Sequence, residues 1–542
     1  MRFLDRSERY FVFIGCLFFF ALSLLLTGLS GGFWIGVAIF GVLSLTGIQD
    51  VLQRRHAILR NYPVLGHFRF FFEGIRPEIR QYFLEGDQEE EPFSREERSI
   101  VYQRAKGEEA ARPFGTKRKV YAGGYSWLTH SVAPCQAAAF DVRQQIGGPD
   151  CTHPYSASLY NISAMSFGAL SANAITALNL GAKAGGFAHD TGEGGLSRYH
   201  KQGGDLIWEI GSGYFGCRNE DGSFNPDRFA AQASLPQVKM VEIKLSQGAK
   251  PGQGGLLPAP KITAEIAEAR GVPMGRDCHS PAAHTAFSTP LELCAFIARL
   301  RQLSGGKPVG FKLCIGHRRE FMCMLKAMLE TGITPDFIVV DGKEGGTGAA
   351  PMEFANHVGM PLVEGLCFVH NSLRGAGLRD RIKVGASGKL IHAFDVARAM
   401  AIGADWANSA RGFMFAVGCI QAQACHTNKC PVGVATQDRL RQRALHVPTK
   451  AERVTRFHDN TMKALADLAG AAGLTSPCDF LPRHFMQREA DGTMRTGDEV
   501  WPYMPEGFLL DARADPSGHL ERWNRARPDS FLPPDQGVAG LS

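Results

Sequence analysis

No charge of one sign dominates this chain: 59 basic and 53 acidic residues among 542 leave a formal net charge of +6. So even a balance leaves no electrostatic footprint for nucleic acid. Half of the excess lies in residues 1–60, where Arg2, Arg6, Arg9, Arg54, Arg55 and Arg60 face only Asp5, Glu8 and Asp50. Gly/Ser linkers and collagen-like periods are also missing. The 62 glycines gather in short loops, so no stretch reads as a flexible tether or a fibre. A disulfide framework is lacking too. Apart from one trio, the thirteen cysteines are scattered in segments such as Leu313-Cys314-Ile315, the pattern of reduced thiols in the cytosol. The length suits one large domain with appendages, or two to three ordinary ones.

Two stretches lack charge altogether. Residues 10–28 form one and the Gly-rich residues 31–48 the other, each long enough as a helix to cross about 30 Å of hydrocarbon. A signal peptide has a shorter apolar core, and the immediate second run argues against one. Buried core helices are the alternative. Arginines flank the outer ends of both runs, whereas Leu29-Ser30-Gly31-Gly32 between them carries none. The positive-inside rule then predicts a hairpin over residues 1–50 in the cell (inner) membrane, with two spans and everything after residue 50 cytoplasmic. Residues 51–130 read as a polar connecting region, its acidic run Asp87-Gln-Glu-Glu-Glu91 a solvated face.

From about residue 155 short β-like runs are each followed by a Gly-rich loop and a helical pattern. Leu159–Ser163, Val241–Ser246, Val309–Ile315, Phe337–Val340, Ile382–Val384 and Asp405–Ser409 are such runs. Parallel βαβ units in this number predict an α/β fold, a (β/α)8 TIM barrel over residues 131–475, with a C-terminal extension over 476–542. Thr289-Pro290-Leu291-Glu292 is a helix start, with Thr as N-cap, Pro at N1 and Glu completing a capping box. Alternation in Val241–Ser246 and Val309–Ile315 puts Lys244 and Lys312 on the barrel's inner face. A buried lysine needs an anionic ligand or a carboxylate partner, and both readings are open.

Cys419, Cys425 and Cys430 follow a C-x5-C-x4-C spacing closed by Pro431. Converging thiolates with a proline that ends the loop suit an iron–sulfur cluster, and three rather than four suggest 3Fe–4S. Zinc with His426 as fourth ligand, or ordinary buried thiols, are the alternatives. Glycine-rich segments recur after strands, where a barrel builds its active site: Met165–Gly168, Thr191–Gly195, Gln247–Gly255, Asp341–Gly348 and Gly385–Lys389. Together they point to a phosphorylated cofactor cradled by backbone N–H groups.

Over residues 125–475 the chain resembles the FMN-binding synthase domain of glutamate synthase. The resemblance lies in Ser163–Ser171, Asp190–Gly195, Lys244–Gly252, Gly345–Pro351 and the run from Gly418-Cys419 through Gln437. It implies FMN in the barrel and a 3Fe–4S cluster on the three cysteines. It also implies condensation of ammonia with a 2-oxo acid, 2-oxoglutarate in the family, and reduction of the imine. Lys244, Lys250 and Arg270 match positions that bind the dicarboxylate, Gln247 a contact to substrate or flavin, and Glu193 the proton-moving carboxylate. Lys312 is placed to favour negative charge on the reduced flavin ring. Gly345, Gly346, Thr347, Gly385, Gly388, Ser409 and Arg411 are implied around the FMN, with Met165 and Ser166 against the isoalloxazine.

Departures bear on substrate. The family's Glu-Gly-Gly-Gln reads Gln253-Gly-Gly-Leu256 here, so a polar contact becomes apolar, and Ser280–Thr285 replaces Pro-Pro-Pro-His-His-Asp. Arg2 follows Met1 and Cys16 lies in an apolar run, so no counterpart of the family's glutaminase nucleophile is expected. Nitrogen is expected from external ammonia, and electrons from a ferredoxin-like or reductase partner. An N-methylglutamate-synthase-like transfer of an amine, and a non-aminating flavin/cluster electron carrier, are the competing functions.

Overall fold

Strands buried on both faces draw on near-continuous apolar runs, and here eight of them close on one another. The computed structural model describes residues 8–84, 86–88, 92–108, 114–136, 142–257, 259, 262–347, 350–511 and 518–533. Its two units are Met1–Glu89 and Glu90–Ser542.

In the second unit β1 (Tyr160–Ile162), β2 (His189–Asp190), β3 (Leu206–Ile210), β4 (Val238–Lys244), β5 (Val309–Leu313), β6 (Phe337–Asp341), β7 (Lys383–Ser387) and β8 (Trp406–Ser409) pair in parallel. They form a closed barrel in chain order, β8 returning to β1. Six of the eight coincide with runs legible in the sequence. β2 has two residues, too few for any periodicity, and β3 has every residue buried.

The register aligns the strand ends that carry chemistry. Lys244 pairs with Lys312, and Asp341 with Ser387. The helix Pro290–Leu303 begins with the expected capping box of Thr289 and Glu292. Among the described residues no helix joins β2 to β3, a departure from a regular (β/α)8 repeat. The long helix Val447–Ala471 packs outside the barrel on Ala172–Gly185 and Ala393–Ile402.

The loops after β4 and β6 touch backbone to backbone. A Cβ on Gly248 would stand 1.8 Å from the carbonyl oxygen of Gly342, so only glycine fits there. The C-terminal extension contributes Phe485–Arg488 and Met494–Thr496 to an antiparallel sheet with Ser126–Leu128. The connecting region holds the helices Gly66–Ile79 and Arg95–Lys106. Of the acidic run Asp87–Glu91, residues 89–91 lie outside the described residues.

In the first unit Phe11–Leu26 and Phe33–Leu52 form a helical hairpin. A Cβ on Gly47 would fall within 2.2 Å of the Phe13 ring, so the glycine admits that aromatic side chain between the helices. Phe33–Leu52, with 20 residues, is long and apolar enough to cross a membrane; Phe11–Leu26, with 16, is shorter.

Candidate active site

Two cavities open at the C-terminal ends of the strands and share one wall residue, Gln247. The first is lined by Ser163 and Ala164 after β1, Asp341 on β6, Gly345 and Gly346 beyond it, and Ser387, Gly388 and Lys389 at the end of β7. Ser409 and Arg411 at the end of β8 also line it, with Phe93 and Glu344, and Lys312 is its floor. Arg411 Nη1 lies 3.4 Å from Met414 Sδ, and the Lys389 ammonium lies 5.4 Å from the centre of the Phe93 ring. Among the described residues neither cation pairs with a carboxylate. Two such cations beside side-chain-free backbone suit a phosphate dianion. The residues therefore fit FMN.

The structure distributes the expected FMN residues unevenly. Lys312, Gly345, Gly346, Gly388, Ser409 and Arg411 line the cavity. Gly385 instead lets the Trp406 indole approach, at 2.6 Å from where its Cβ would be. Met165 is buried in the core, and Ser166 supports the Glu193 loop, close behind Gly192 and Gly194. Thr347 is half-buried next to Gly346; Gly348 and Ala349 lie outside the described residues. Missed in the sequence were Asp341 and Ser387, whose place at strand ends was the available signal, and Phe93, which had none.

The second cavity is lined by Glu193, Ser212, Lys244, Gln247, Lys250 and the Gly252–Gly255 turn. Lys244 Nζ stands 2.7 Å from Glu193 Oε1, and Lys250 Nζ donates to Gly254 O at 3.1 Å. Burial alone would raise the Glu193 carboxyl; Lys244, with Arg270 and Lys250 behind it, holds it below its usual range. Burial pushes the Lys250 ammonium down, against the pull of Glu193. Arg270 does not line the pocket. It is buried behind Gly194, its guanidinium 5.0 Å from the centre of the Phe215 ring, where it acts on Glu193 through charge. Three cations around one carboxylate leave the pocket positive and ready for a dicarboxylate. The Leu256 side chain lies outside the described residues.

Lys312 resolves the choice its strand pattern left open. Its ammonium is paired with Glu209, lies 3.1 Å from Glu242 and 3.9 Å from Asp190, and all four groups are buried. The lysine has carboxylate partners below and the cofactor cavity above. Its charge is held well above the usual lysine range by these carboxylates, against burial. Burial and mutual repulsion raise Asp190 and Glu242. These three carboxylates are the one group among the described residues whose donor atoms lie within 4.8 Å of each other. The ammonium is the cation they already hold.

Of the substituted segment Ser280–Thr285, His284 has a positioning role. Its Nε2 lies 2.9 Å from Lys244 O and its Nδ1 3.1 Å from Tyr214 Oη. Burial pushes its pKa down to about 4. A histidine held neutral in the folded state contributes stability that is complete above the unfolded pKa, near 6.5, and is lost as pH falls towards 4. His284→Gln is therefore expected to be less stable than wild type at pH 7. That gap should narrow by about 2 kcal/mol between pH 6.5 and 4.5. Denaturant titrations at the two pH values check this; a constant gap would contradict it.

The three cysteines lie on a loop that begins where the helix Arg411–Val417 ends. Cys430 is buried, while Cys419 and Cys425 are half-buried. Burial first, with Cys425 and Cys430 adding, pushes the Cys419 thiol up to about 11, so both of the other thiols lie within electrostatic reach of Cys419. Gln421, Gln423 and Asn428 all have positive φ without being glycine, a strained wrap of the kind a bound group rewards. His426 is exposed. Among the described residues, no group of three ligand atoms within 4.8 Å of one another includes these cysteines or His426.

Residues 148–475 match the conserved region in glutamate synthase. The glutamate synthase large subunit-like protein YerD of Bacillus subtilis is 40% identical over 495 residues, 84% of this chain and 94% of that protein. The archaeal glutamate synthase (NADPH) of Methanocaldococcus jannaschii is 35% identical over 317 residues, 58% of this chain and 59% of its own length. The glutamate synthase (NADPH) large chain of Bacillus subtilis is 33% identical over 286 residues, 52% of this chain and 18% of that one. The chain thus spans nearly all of the first relative but about three fifths of the archaeal one.

Proposed function

This chain belongs to the glutamate synthase family of oxidoreductases, and on that premise we propose that it reductively aminates a 2-oxo acid, 2-oxoglutarate or a close relative. The observation that carries this reading is the positive pocket of Lys244, Lys250 and Glu193, joined to the cofactor cavity through Gln247. The reaction takes 2-oxo acid, ammonia, two electrons and two protons to amino acid and water. FMN, when bound, supplies the hydride. Lys244 and Lys250 bind and orient the substrate carboxylates. Glu193, held ionised by those cations, accepts a proton from the nitrogen as it adds to the carbonyl carbon. Gln247, which lines both cavities, is placed to hydrogen-bond substrate or flavin between them, and Lys312 keeps a fixed positive charge at the cavity floor.

Cys419, Cys425 and Cys430 would hold a 3Fe–4S cluster, with electrons drawn from a partner protein. The helix Phe33–Leu52, long and apolar enough to cross a membrane, supports a membrane tether; a second span by Phe11–Leu26 and a cytoplasmic barrel belong to the proposal. Retention of the dicarboxylate pocket argues against a pure electron carrier. Leu256 in place of a polar residue favours, as second reading, an amine bearing a methyl group in place of ammonia.

The test is oxidation of chemically reduced protein, followed by flavin absorbance. Reoxidation is expected with 2-oxoglutarate plus ammonium, and not with either alone; methylammonium in place of ammonium reads the second possibility. Reoxidation indifferent to all of them would leave the carrier. Lys250→Ala is expected to raise the KM for the 2-oxo acid about tenfold or more with flavin content unchanged. Loss of flavin instead would place that lysine in the wrong cavity.

A further inference from the structure

The conserved family region begins at residue 148, yet part of the cofactor cavity is built from much earlier in the chain. Phe93 is 3% exposed and lines that cavity beside Lys389 and Arg411. Its ring meets Phe415 edge-on, with centroids 5.4 Å apart at 86°. Its carbonyl oxygen accepts a hydrogen bond from Gln421 Nε2 at 3.1 Å. Nine residues on, Tyr102 Oη donates to the carbonyl oxygen of Cys419 at 2.6 Å, and its ring lies 6.1 Å from the same Phe415. Phe415 belongs to the helix Arg411–Val417, which starts at the cavity with Arg411 and ends two residues before Cys419.

We propose that residues 93–102 form a clamp shared by both cofactor sites, with Phe93 a wall of the flavin cavity and Tyr102 a positioning residue for the cysteine loop. This rests on reading those sites as belonging to FMN and an iron–sulfur cluster.

Three features fit a clamp better than casual packing. First, the segment is anchored to the rest of the unit. Ser94 and Glu97 form a capping box for the helix Arg95–Lys106, whose Val101 and Ala105 are buried. Arg104 donates to Thr461 Oγ1 at 3.2 Å, and Asn460 Nδ2 donates to Arg104 O at 2.9 Å. Second, Lys389 and Gln421, both non-glycine residues at positive φ, contact Phe93, one through its ring and the other through its carbonyl. Backbone in that region persists only where neighbours over-determine it, and Phe93 is such a neighbour for both. Third, the rings of Phe93 and Tyr102 both abut Phe415. The helix that leads from the phosphate-side cation to the first thiol is therefore held at Phe415 by both rings.

The experiment uses full-length protein in detergent, stripped of flavin and titrated with FMN while flavin fluorescence is followed, and separately exposed to an iron chelator. Phe93→Ala is expected to raise the FMN Kd about tenfold, as loss of an aromatic wall does, while Phe93→Leu, which keeps the burial, raises it less. Tyr102→Phe is expected to leave the FMN Kd unchanged and to speed iron loss about tenfold, as when a group supporting the ligands is removed. A wild-type Kd in Phe93→Ala, or wild-type iron loss in Tyr102→Phe, overturns the clamp. Wild-type protein that takes up neither FMN nor iron would bring down the functional reading beneath it, so the two failures are told apart.

Discussion

Lys312→Met is expected to destabilise the barrel by about 3–5 kcal/mol, the range for removing one partner of a buried ionic cluster. The methionine fills a similar volume, so the loss comes from charge, not from a cavity. Asp190, Glu209 and Glu242 are buried around the ammonium, which at 3.1 Å is the polar partner that Glu242 has among the described residues. Without the lysine these carboxylates must share protons or unfold the strands that carry them. Burial already raises Asp190 and Glu242. A carboxyl raised in the folded state weighs against folding at high pH and is relieved as pH falls through its folded pKa. The variant should therefore lose more stability at pH 8 than at pH 5. Adding Glu209→Gln or Glu242→Gln should restore part of the loss, because each removes one uncompensated charge. Thermal or urea unfolding reads all four proteins. A Lys312→Met barrel as stable as wild type at pH 8 would show that the ammonium is not what neutralises this layer.

Glu193→Gln should lower turnover about 10²–10⁴-fold, the usual contribution of a positioned proton acceptor. The substitution keeps an oxygen facing Lys244 at the position where the carboxylate now stands 2.7 Å away. It leaves the first cavity untouched, since Glu193 lines the second and not the first. It also removes the negative charge that Lys244, Arg270 and Lys250 hold below its usual range. Those cations become freer for a dicarboxylate, so the KM for the 2-oxo acid should stay level or fall while kcat drops. That split separates a proton-transfer role from a binding role. Equal losses through KM alone, or a variant with full turnover, would remove Glu193 from the chemistry.

Local sequence was enough for much of this molecule. Parallel strands show themselves by dense apolar runs, and six of eight did so; β2 is too short to carry any pattern. The capping box at Thr289 needed only four residues, because an N-cap is satisfied within its own turn. The two cavities were partly legible as well. Lys244 ends β4, while Lys250, Gln247 and Glu193 come from two βα loops, and barrel geometry sends strand ends and such loops to one face. Arg270 was legible as a charge but not as a residue standing behind the pocket. Its place depends on the excursion between β4 and β5, whose path no periodicity dictates.

Alternation along β4 and β5 determined that Lys244 and Lys312 point inward, since a strand turns successive side chains to opposite faces. It could not say what each would meet there. Lys244 meets Glu193 from the loop after β2, whereas Lys312 meets carboxylates from β2, β3 and β4. Partners across a barrel axis are set by strand register and closure, which are properties of all eight strands at once. Phe93 and Tyr102 show the same limit more sharply. Nothing within residues 93–102 announces a cofactor wall, because what makes it one is Phe415 and Cys419, more than three hundred positions away in the chain.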